Sequence, residues 1–178
     1  MKFAERVAHL GTETAFAVSA EATAFAAKGN KVYPFHLGDL NLKTPANVLT
    51  AGIKAMQDGK TNYCANAGVP QLREILADDV SATRKTQYSL ENVAIQPGGK
   101  PTIGKFFLTM MNPGDEVLYP NPGYPIYESQ IEFHGGKAVP YGYIEGKSNF
   151  DIDTDMLESQ ITPRTRLLVL NDLQNPTG

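Results

Sequence analysis

Apolar residues recur at helical spacing in three stretches of the chain. In residues 101–112 they fall at i, i+3, i+4, i+7 and i+8, which predicts a helix with one buried face. In residues 72–80, Leu72, Ile75, Leu76 and Val80 alternate with charged residues such as Arg73, which predicts an amphipathic surface helix. An alanine-rich stretch from about residue 13 to 28 predicts a third helix, which Gly29 and Asn30 would end.

Short apolar runs bounded by proline, glycine and asparagine lie between or after the helical patterns, and we predict them to be strands: residues 93–97, 116–120, 137–141 and 166–171. Strands that alternate with helices of this length predict β–α–β units and a mostly parallel sheet. In such α/β folds, ligands collect at the carboxyl ends of the strands. The turns at residues 98–99, 121–123 and 171–172 follow predicted strands, so we expect the functional groups there.

Composition and charge exclude several classes of function. The 178 residues carry 16 lysines and arginines against 19 aspartates and glutamates, a formal charge of −3, without a run of four basic residues. That balance argues against binding to nucleic acid or to an anionic membrane. The stretch from Ala15 to Ala27 is interrupted by Glu21 and is typical of neither a membrane span nor a signal peptide.

Single residue types add smaller expectations. Cys64 is the one cysteine, so it cannot close an intrachain disulfide; this favours a cytoplasmic location, and we expect a small buried side chain. His9, His36 and His134 do not have the spacing of metal ligands. The acidic cluster Asp151, Asp153 and Asp155 is expected to start and cap a short helix.

A glycine pair is the first candidate for ligand binding. Gln96-Pro97 leads into Gly98-Gly99-Lys100 and then into the helix predicted at residues 101–112. Backbone N–H groups at the positive end of a helix suit a phosphate group. The motif is not a Walker loop, because Pro101 stands where Ser or Thr is required. Taken alone, a pair of glycines such as Gly98-Gly99 is more often an ordinary turn than a phosphate site.

Two further motifs follow predicted strands. Residues 112–129 read NPGDEVLYPNPGYPIYES, and they would deliver Tyr124 to the carboxyl end of a strand, where it could stack on a planar ring. The alternative is that Tyr119, Tyr124 and Tyr127 pack in the core. The last four residues read NPTG, which places the Asn175 amide at the end of another strand.

In this order and at these separations, the three motifs resemble the fold-type I pyridoxal-phosphate aminotransferases of class I/II, over nearly the whole chain. The resemblance implies an α/β fold that is part of a three-layer large domain with a mostly parallel sheet. Residues 1–35 would form a helical N-terminal arm or small-domain element, and residues 36–178 the N-terminal part of the cofactor-binding domain. It also implies pyridoxal 5'-phosphate as cofactor, an amino acid and a 2-oxo acid as substrates, and a homodimer.

The resemblance assigns roles to individual residues. Backbone amides of Gly99 and Lys100 would bind the cofactor phosphate, Tyr124 would stack on the pyridine ring, and Asn175 would donate to its phenolic oxygen. Tyr63 would reach the phosphate of the neighbouring subunit's cofactor. Gly38 would lie against the substrate carboxylate, although residues 39–41 read Asp-Leu-Asn where the family usually has Pro-Asp-Phe.

No catalytic residue is assigned within this chain. The resemblance implies a Schiff-base lysine downstream of the NPTG segment, and we expect none of the lysines present to replace it. We therefore expect an N-terminal portion whose apolar helix faces and strand edges are partly uncovered. Two alternatives stay open: a carbon–sulfur lyase or cyclase with the same fold and cofactor, or a non-catalytic product that binds phosphate or assembles with another chain.

Overall fold

The computed structural model describes residues 2–10, 14–35, 38 and 42–178. Its helices, apart from two short 3₁₀ turns at Glu5–His9 and Leu90–Asn92, are α1 (Thr14–Ala26), α2 (Ala46–Gln57), α3 (Pro70–Arg84), α4 (Gly99–Met110), α5 (Ile126–Phe133) and α6 (Thr154–Ser159). Its strands are β1 (Glu116–Pro120), β2 (Lys137–Tyr141), β3 (Tyr143–Glu145), β4 (Phe150–Ile152) and β5 (Thr165–Leu168). The three predicted helices are confirmed as α1, α3 and α4.

The chain divides into two compact units. The first unit contains the described residues up to 35 together with residues 98–178, and the second contains the described residues from 38 to 97. The division predicted from sequence, an arm over residues 1–35 and a cofactor domain over residues 36–178, stays a prediction.

The first unit is built on a parallel sheet, as predicted. Strand β1 lies in the middle, pairing in parallel with β2 on one side and with β5 on the other. All five residues of β1 are buried, as expected of a central strand in a parallel sheet. Strand β5 ends at Leu168, three residues before the predicted end. Strands β3 and β4 form a separate antiparallel pair.

The core of this unit joins α4, β1 and α5. Its buried cluster consists of Phe107, Met111, Val117, Tyr119 and Ile131. The helical spacing in residues 101–112 correctly identified Phe107 as inward-facing, whereas Phe106 on the same helix is 52% exposed. Leu168 and Leu170 near the β5 edge are 45% and 63% exposed. Apolar groups are therefore uncovered on α4 and along β5, as expected from the sequence.

The prediction of a strand at residues 93–97 is wrong. The Ile95 N–H donates to the Ala67 carbonyl at 2.8 Å, and the Val93 carbonyl accepts from Arg73 Nε at 2.8 Å. A strand needs a neighbouring strand for its backbone groups. Within the second unit, the described residues contain none.

Two side chains lie differently from expectation. Arg73 is buried rather than solvated, because Nε and Nη2 donate to the carbonyls of Val93 and Leu90 and so fasten α3 to the segment that follows. Cys64 is exposed, which overturns the expected burial.

The predicted cap on α6 is confirmed: Asp153 accepts from the Met156 N–H at 2.9 Å, and Asp155 lies in the first turn. Asp151 belongs to β4 instead.

A buried carboxylate joins the amino ends of the three parallel strands. Glu116 is 1% exposed at the start of β1. It accepts from Thr162 Oγ1 at 2.6 Å, from Arg164 Nη2 at 2.8 Å and from Lys137 Nζ at 3.1 Å. Hydrogen bonds from Thr162, then Arg164, then Lys137, hold the pKa of Glu116 down at about 2, although burial opposes them.

We predict that Glu116→Gln lowers the free energy of unfolding at neutral pH. The free energy of unfolding of the variant should also depend less on pH in the acid range. A depressed folded-state pKa means that the ionised carboxylate stabilises fully above the unfolded pKa of about 4.3, and that this contribution is lost as the pH falls towards 2. Urea unfolding of the wild type and the variant at several pH values between about 2 and 7 tests this prediction.

The exposed Glu145 offers the control, since Glu145→Gln should leave both stability and its pH dependence close to those of the wild type. If the stability of Glu116→Gln fell as steeply with decreasing pH as that of the wild type, the stabilising role assigned to the ionised Glu116 carboxylate would be contradicted.

None of the described helices is both long enough and apolar enough to cross a membrane.

Candidate functional site

Three segments that the sequence marked for ligand binding lie towards one edge of the parallel sheet. Residues 121–125 follow β1 and residues 169–178 follow β5; the carboxyl ends of these parallel strands share an edge. Arg166, near the start of β5, donates from Nε to the Met110 carbonyl at the last turn of α4. The C-terminus of α4 is therefore at the opposite edge, and its N-terminus with Gly99 points to the carboxyl edge.

The N-terminus of α4 presents backbone with little side-chain cover. Gly98 is the N-cap residue with φ of 105°, in the left-handed region that glycine tolerates best. Apart from the adjacent residues of the chain and the backbone of α4, no described heavy atom lies within 4 Å of a Cβ added at Gly98 or Gly99. The N–H groups of a first helical turn have no acceptor within their own helix. Gly99 and Lys100 thus hold the positions from which backbone donors bind an anion.

The Lys100 amine lies near an aromatic ring. Its Nζ lies 5.8 Å from the centre of the Phe16 ring on α1. Thr102 Oγ1 donates to the Gly98 carbonyl at 3.0 Å, which satisfies the acceptor at the cap. That Lys100 would contribute its backbone N–H and not its amine stays a prediction.

Tyr124 lies on the connection between β1 and α5. The Asn121 N–H donates to the Tyr141 carbonyl at 2.9 Å and so continues the β1–β2 ladder into this connection. The Tyr124 ring is half-buried, 5.9 Å from the Tyr127 ring and perpendicular to it. The tyrosines therefore differ: Tyr119 belongs to the core, whereas Tyr124 keeps part of its surface exposed at the sheet edge.

Asn175 lies on the segment after β5, and its side chain is exposed. The neighbouring Gln174 is buried, and its Nε2 donates to the Pro122 carbonyl at 2.6 Å. The Gly178 N–H closes a turn onto the Gln174 carbonyl at 2.6 Å. Gln174 was not predicted from the sequence, although its amide next to Asn175 was an available indication. Its hydrogen bond joins the segment that carries Asn175 to the one that carries Tyr124.

Two side-chain oxygens near Asn175 are buried with no hydrogen-bond partner among the described residues: Gln174 Oε1 and Thr177 Oγ1. Buried polar atoms usually have partners. This segment therefore has hydrogen-bonding capacity that the described part of the chain leaves unused.

Gly38 and Tyr63 belong to the second unit. Gly38 is exposed, and the Tyr63 side chain is fully exposed. His36 and the Asp-Leu-Asn departure at residues 39–41 lie outside the described residues. The structure thus brings Gly99, Lys100, Tyr124 and Asn175 to one edge of the first unit, and carries Gly38 and Tyr63 on the second.

A metal centre finds no support in the described part of the chain, where no group of three His, Cys, Asp or Glu side chains could hold an ion. His134 instead packs at the end of α5 with its ring 5.3 Å from that of Phe133. Burial, with a smaller effect of Arg6, lowers the pKa of His134.

Comparison with known proteins gives consistent matches. Residues 30–178 match the sequence model of the family described as aminotransferase class I and II. The chain is 33% identical over 175 residues to a probable aspartate/prephenate aminotransferase of Aquifex aeolicus, covering 98% of this chain and 44% of that protein. It is also 33% identical over 180 residues to the aspartate aminotransferase of Geobacillus stearothermophilus, covering 100% of this chain and 45% of that protein. The chain therefore spans somewhat less than half the length of these curated relatives.

Solved structures agree with the fold. An alanine aminotransferase from Pyrococcus furiosus matches with a TM-score of 0.91 at 27% identity, over 99% of this chain and 45% of its own. A single mutant of the Thermus thermophilus aspartate aminotransferase matches with a TM-score of 0.91 at 30% identity, over 100% of this chain and 46% of its own. Strand order and helix placement are thus similar to those of the N-terminal part of these enzymes.

Proposed function

The chain belongs to the class I and II aminotransferases, and from this we propose that its protein transfers an amino group between an L-amino acid and a 2-oxo acid with pyridoxal 5'-phosphate as cofactor. The observation that carries the proposal is the convergence of Gly99, Lys100, Tyr124 and Asn175 towards one edge of the sheet. The named activities of the relatives, on aspartate, prephenate or alanine, support the amino acid and 2-oxo acid class.

The residues present fit this cofactor. The bare backbone at Gly98 and Gly99 leaves room for a phosphate at the N-terminus of α4, where the helix dipole and the first-turn N–H groups favour an anion. The half-buried Tyr124 ring can stack on a flat heterocycle. Gln174 Oε1 and Thr177 Oγ1, which have no hydrogen-bond partner among the described residues, lie on the same segment as Asn175. This unused hydrogen-bonding capacity supports a ligand with a polar group beside Asn175.

Each residue would then have a defined task. Backbone N–H groups of Gly99 and Lys100 bind the phosphate, Tyr124 covers one face of the ring, and the Asn175 amide donates to the ring oxygen. When bound, the cofactor supplies the electron-accepting ring on which transamination depends. The resemblance to the family further assigns Gly38 to the substrate carboxylate and the fully exposed Tyr63 side chain to the cofactor phosphate of a second subunit in a homodimer.

Binding of pyridoxal phosphate to the 178-residue chain tests the proposal, and Asn175→Ala should weaken it by roughly 10- to 100-fold. The loss follows from removing a donor to a charged acceptor, worth about 1.5–3 kcal/mol. Isothermal titration calorimetry measures both affinities. Pyridoxal, which has no phosphate, should bind at least about tenfold more weakly than the phosphorylated compound.

The control is Asn47→Ala on α2, an exposed asparagine outside the candidate site, which should bind like the wild type. Equal affinity for pyridoxal and pyridoxal phosphate, or an unchanged affinity in Asn175→Ala, would contradict the assigned site. Borohydride treatment and peptide mapping of the complex should identify no single modified lysine; one specific adduct would overturn the expectation that no lysine of this chain is catalytic.

A further inference from the structure

Tyr141 links the two outer strands of the parallel sheet across the central one. It is the last residue of β2, and its side chain is fully buried. Its hydroxyl donates to the Val169 carbonyl at 2.8 Å, directly after β5. Since β1 lies between β2 and β5, the side chain bridges two strand spacings, or about 10 Å.

The same residue also holds the connection after β1. Its carbonyl accepts from the Asn121 N–H at 2.9 Å, at the first residue of the 121–125 connection that carries Tyr124. Tyr141 therefore contacts the first residue of both site segments, residues 121–125 and residues 169–178. The hydrogen bond from Gln174 Nε2 to the Pro122 carbonyl joins the two segments a second time, farther from the sheet.

A hydroxyl is not required to fill this position. Phenylalanine would occupy nearly the same volume, so core packing alone does not explain the tyrosine. A tyrosine phenol is protonated at neutral pH and can donate, and burial raises the pKa of Tyr141 further. The Val169 carbonyl that accepts from it belongs to the segment leading to Asn175.

We propose that Tyr141 is a positioning residue for the cofactor site, whose hydroxyl fixes the segment carrying Asn175 relative to the connection carrying Tyr124. Its role towards pyridoxal phosphate rests on the function proposed above. The link between the two segments is a property of this chain alone and can be tested without the cofactor.

Hydrogen exchange in Tyr141→Phe tests the link. Without the hydroxyl, the half-buried Val169 carbonyl loses its donor, and amides in residues 121–125 and 169–178 should exchange about tenfold faster. Strand β1 and helix α4 should keep the exchange rates of the wild type. Tyr33→Phe removes a hydroxyl from an exposed tyrosine and serves as the matched control, with no change expected at either segment.

Cofactor binding tests the positioning role. At saturating pyridoxal phosphate, the circular dichroism induced in the bound cofactor should fall at least about twofold in Tyr141→Phe, and the affinity should weaken about tenfold. A residue that only stabilised the fold would leave the dichroism of each bound cofactor unchanged at saturation. Gln174→Met, which removes the second link from the other side, should reproduce both effects and provides an independent variant.

The outcomes separate the two proposals. Unchanged exchange at both segments in Tyr141→Phe, or equally faster exchange throughout the sheet, overturns the positioning role. Faster exchange confined to the segments, with unaltered dichroism per bound cofactor, also overturns it. If the wild-type chain binds no pyridoxal phosphate, the proposed cofactor site fails, and with it the role of Tyr141 towards the cofactor, while exchange still decides whether the link exists.

Discussion

Replacing Phe107 by alanine should lower the free energy of unfolding by about 3–5 kcal/mol. The Phe107 side chain is 2% exposed and lies in the cluster that joins α4 to β1 and α5. Removing the ring leaves a cavity among Met111, Val117 and Ile131, which are held by the strand and by two helices and cannot all move into it. Domains of this size are stable by about 5–15 kcal/mol, so the variant would lose a large share of its stability. Urea unfolding followed by circular dichroism measures the difference.

Phe106 provides a matched control on the same helix. Its ring is 52% exposed, so Phe106→Ala removes the same atoms with much less loss of burial and should cost less than about 1.5 kcal/mol. If the two variants were destabilised equally, the assignment of the buried face of α4 would be wrong.

Gly123→Ala should weaken the binding of pyridoxal phosphate by more than about tenfold and lower stability by about 1–3 kcal/mol. A Cβ at this position would overlap the Pro120 carbonyl oxygen and lie 3.0 Å from its carbonyl carbon. Pro120 ends the buried central strand, where the ladder to Tyr141 holds its backbone. The connection would therefore have to move instead, and Tyr124 would move with it. Calorimetric titration and urea unfolding measure the two effects.

Gly52→Ala on α2 is the control for the loss of a glycine. No described heavy atom lies within 4 Å of the added Cβ, and alanine is the better helix former, so stability should rise by about 0.5–1 kcal/mol while binding stays unchanged. Wild-type affinity in Gly123→Ala would show that the position of Tyr124 does not matter for the ligand.

Local periodicity was sufficient where one element packs against one face. The spacing of Ile103, Phe107 and Met111 predicted α4, and the short apolar runs predicted β1 and β2 with their observed bounds. Helix α5 was not predicted, because the prolines and tyrosines of residues 120–127 indicated a turn, and Ile131 is the one deeply buried residue of α5. Helix α2 was not predicted either, although Val48, Leu49, Ile53 and Met56 have helical spacing.

Failures occurred where an element depends on a partner remote in the chain. Residues 93–97 have the composition of a strand, but within the second unit no described strand pairs with them, and their backbone bonds go to Ala67 and Arg73. Cys64 was expected to be buried from residue type alone, and it is exposed. Residue type does not determine burial when the surrounding contacts are absent.

The sequence by itself determined the types of most elements, the parallel α/β class and the order of the motifs that carry the resemblance to aminotransferases, because these depend on residues close together in the chain. Only the tertiary structure decided that Glu116 joins three strands, that Gln174 reaches Pro122 and that Tyr141 reaches Val169. The last two contacts join residues 52 and 28 positions apart. These contacts form because the strand order β2-β1-β5 brings residues that are remote in the chain close together in space. Local propensity does not encode that strand order.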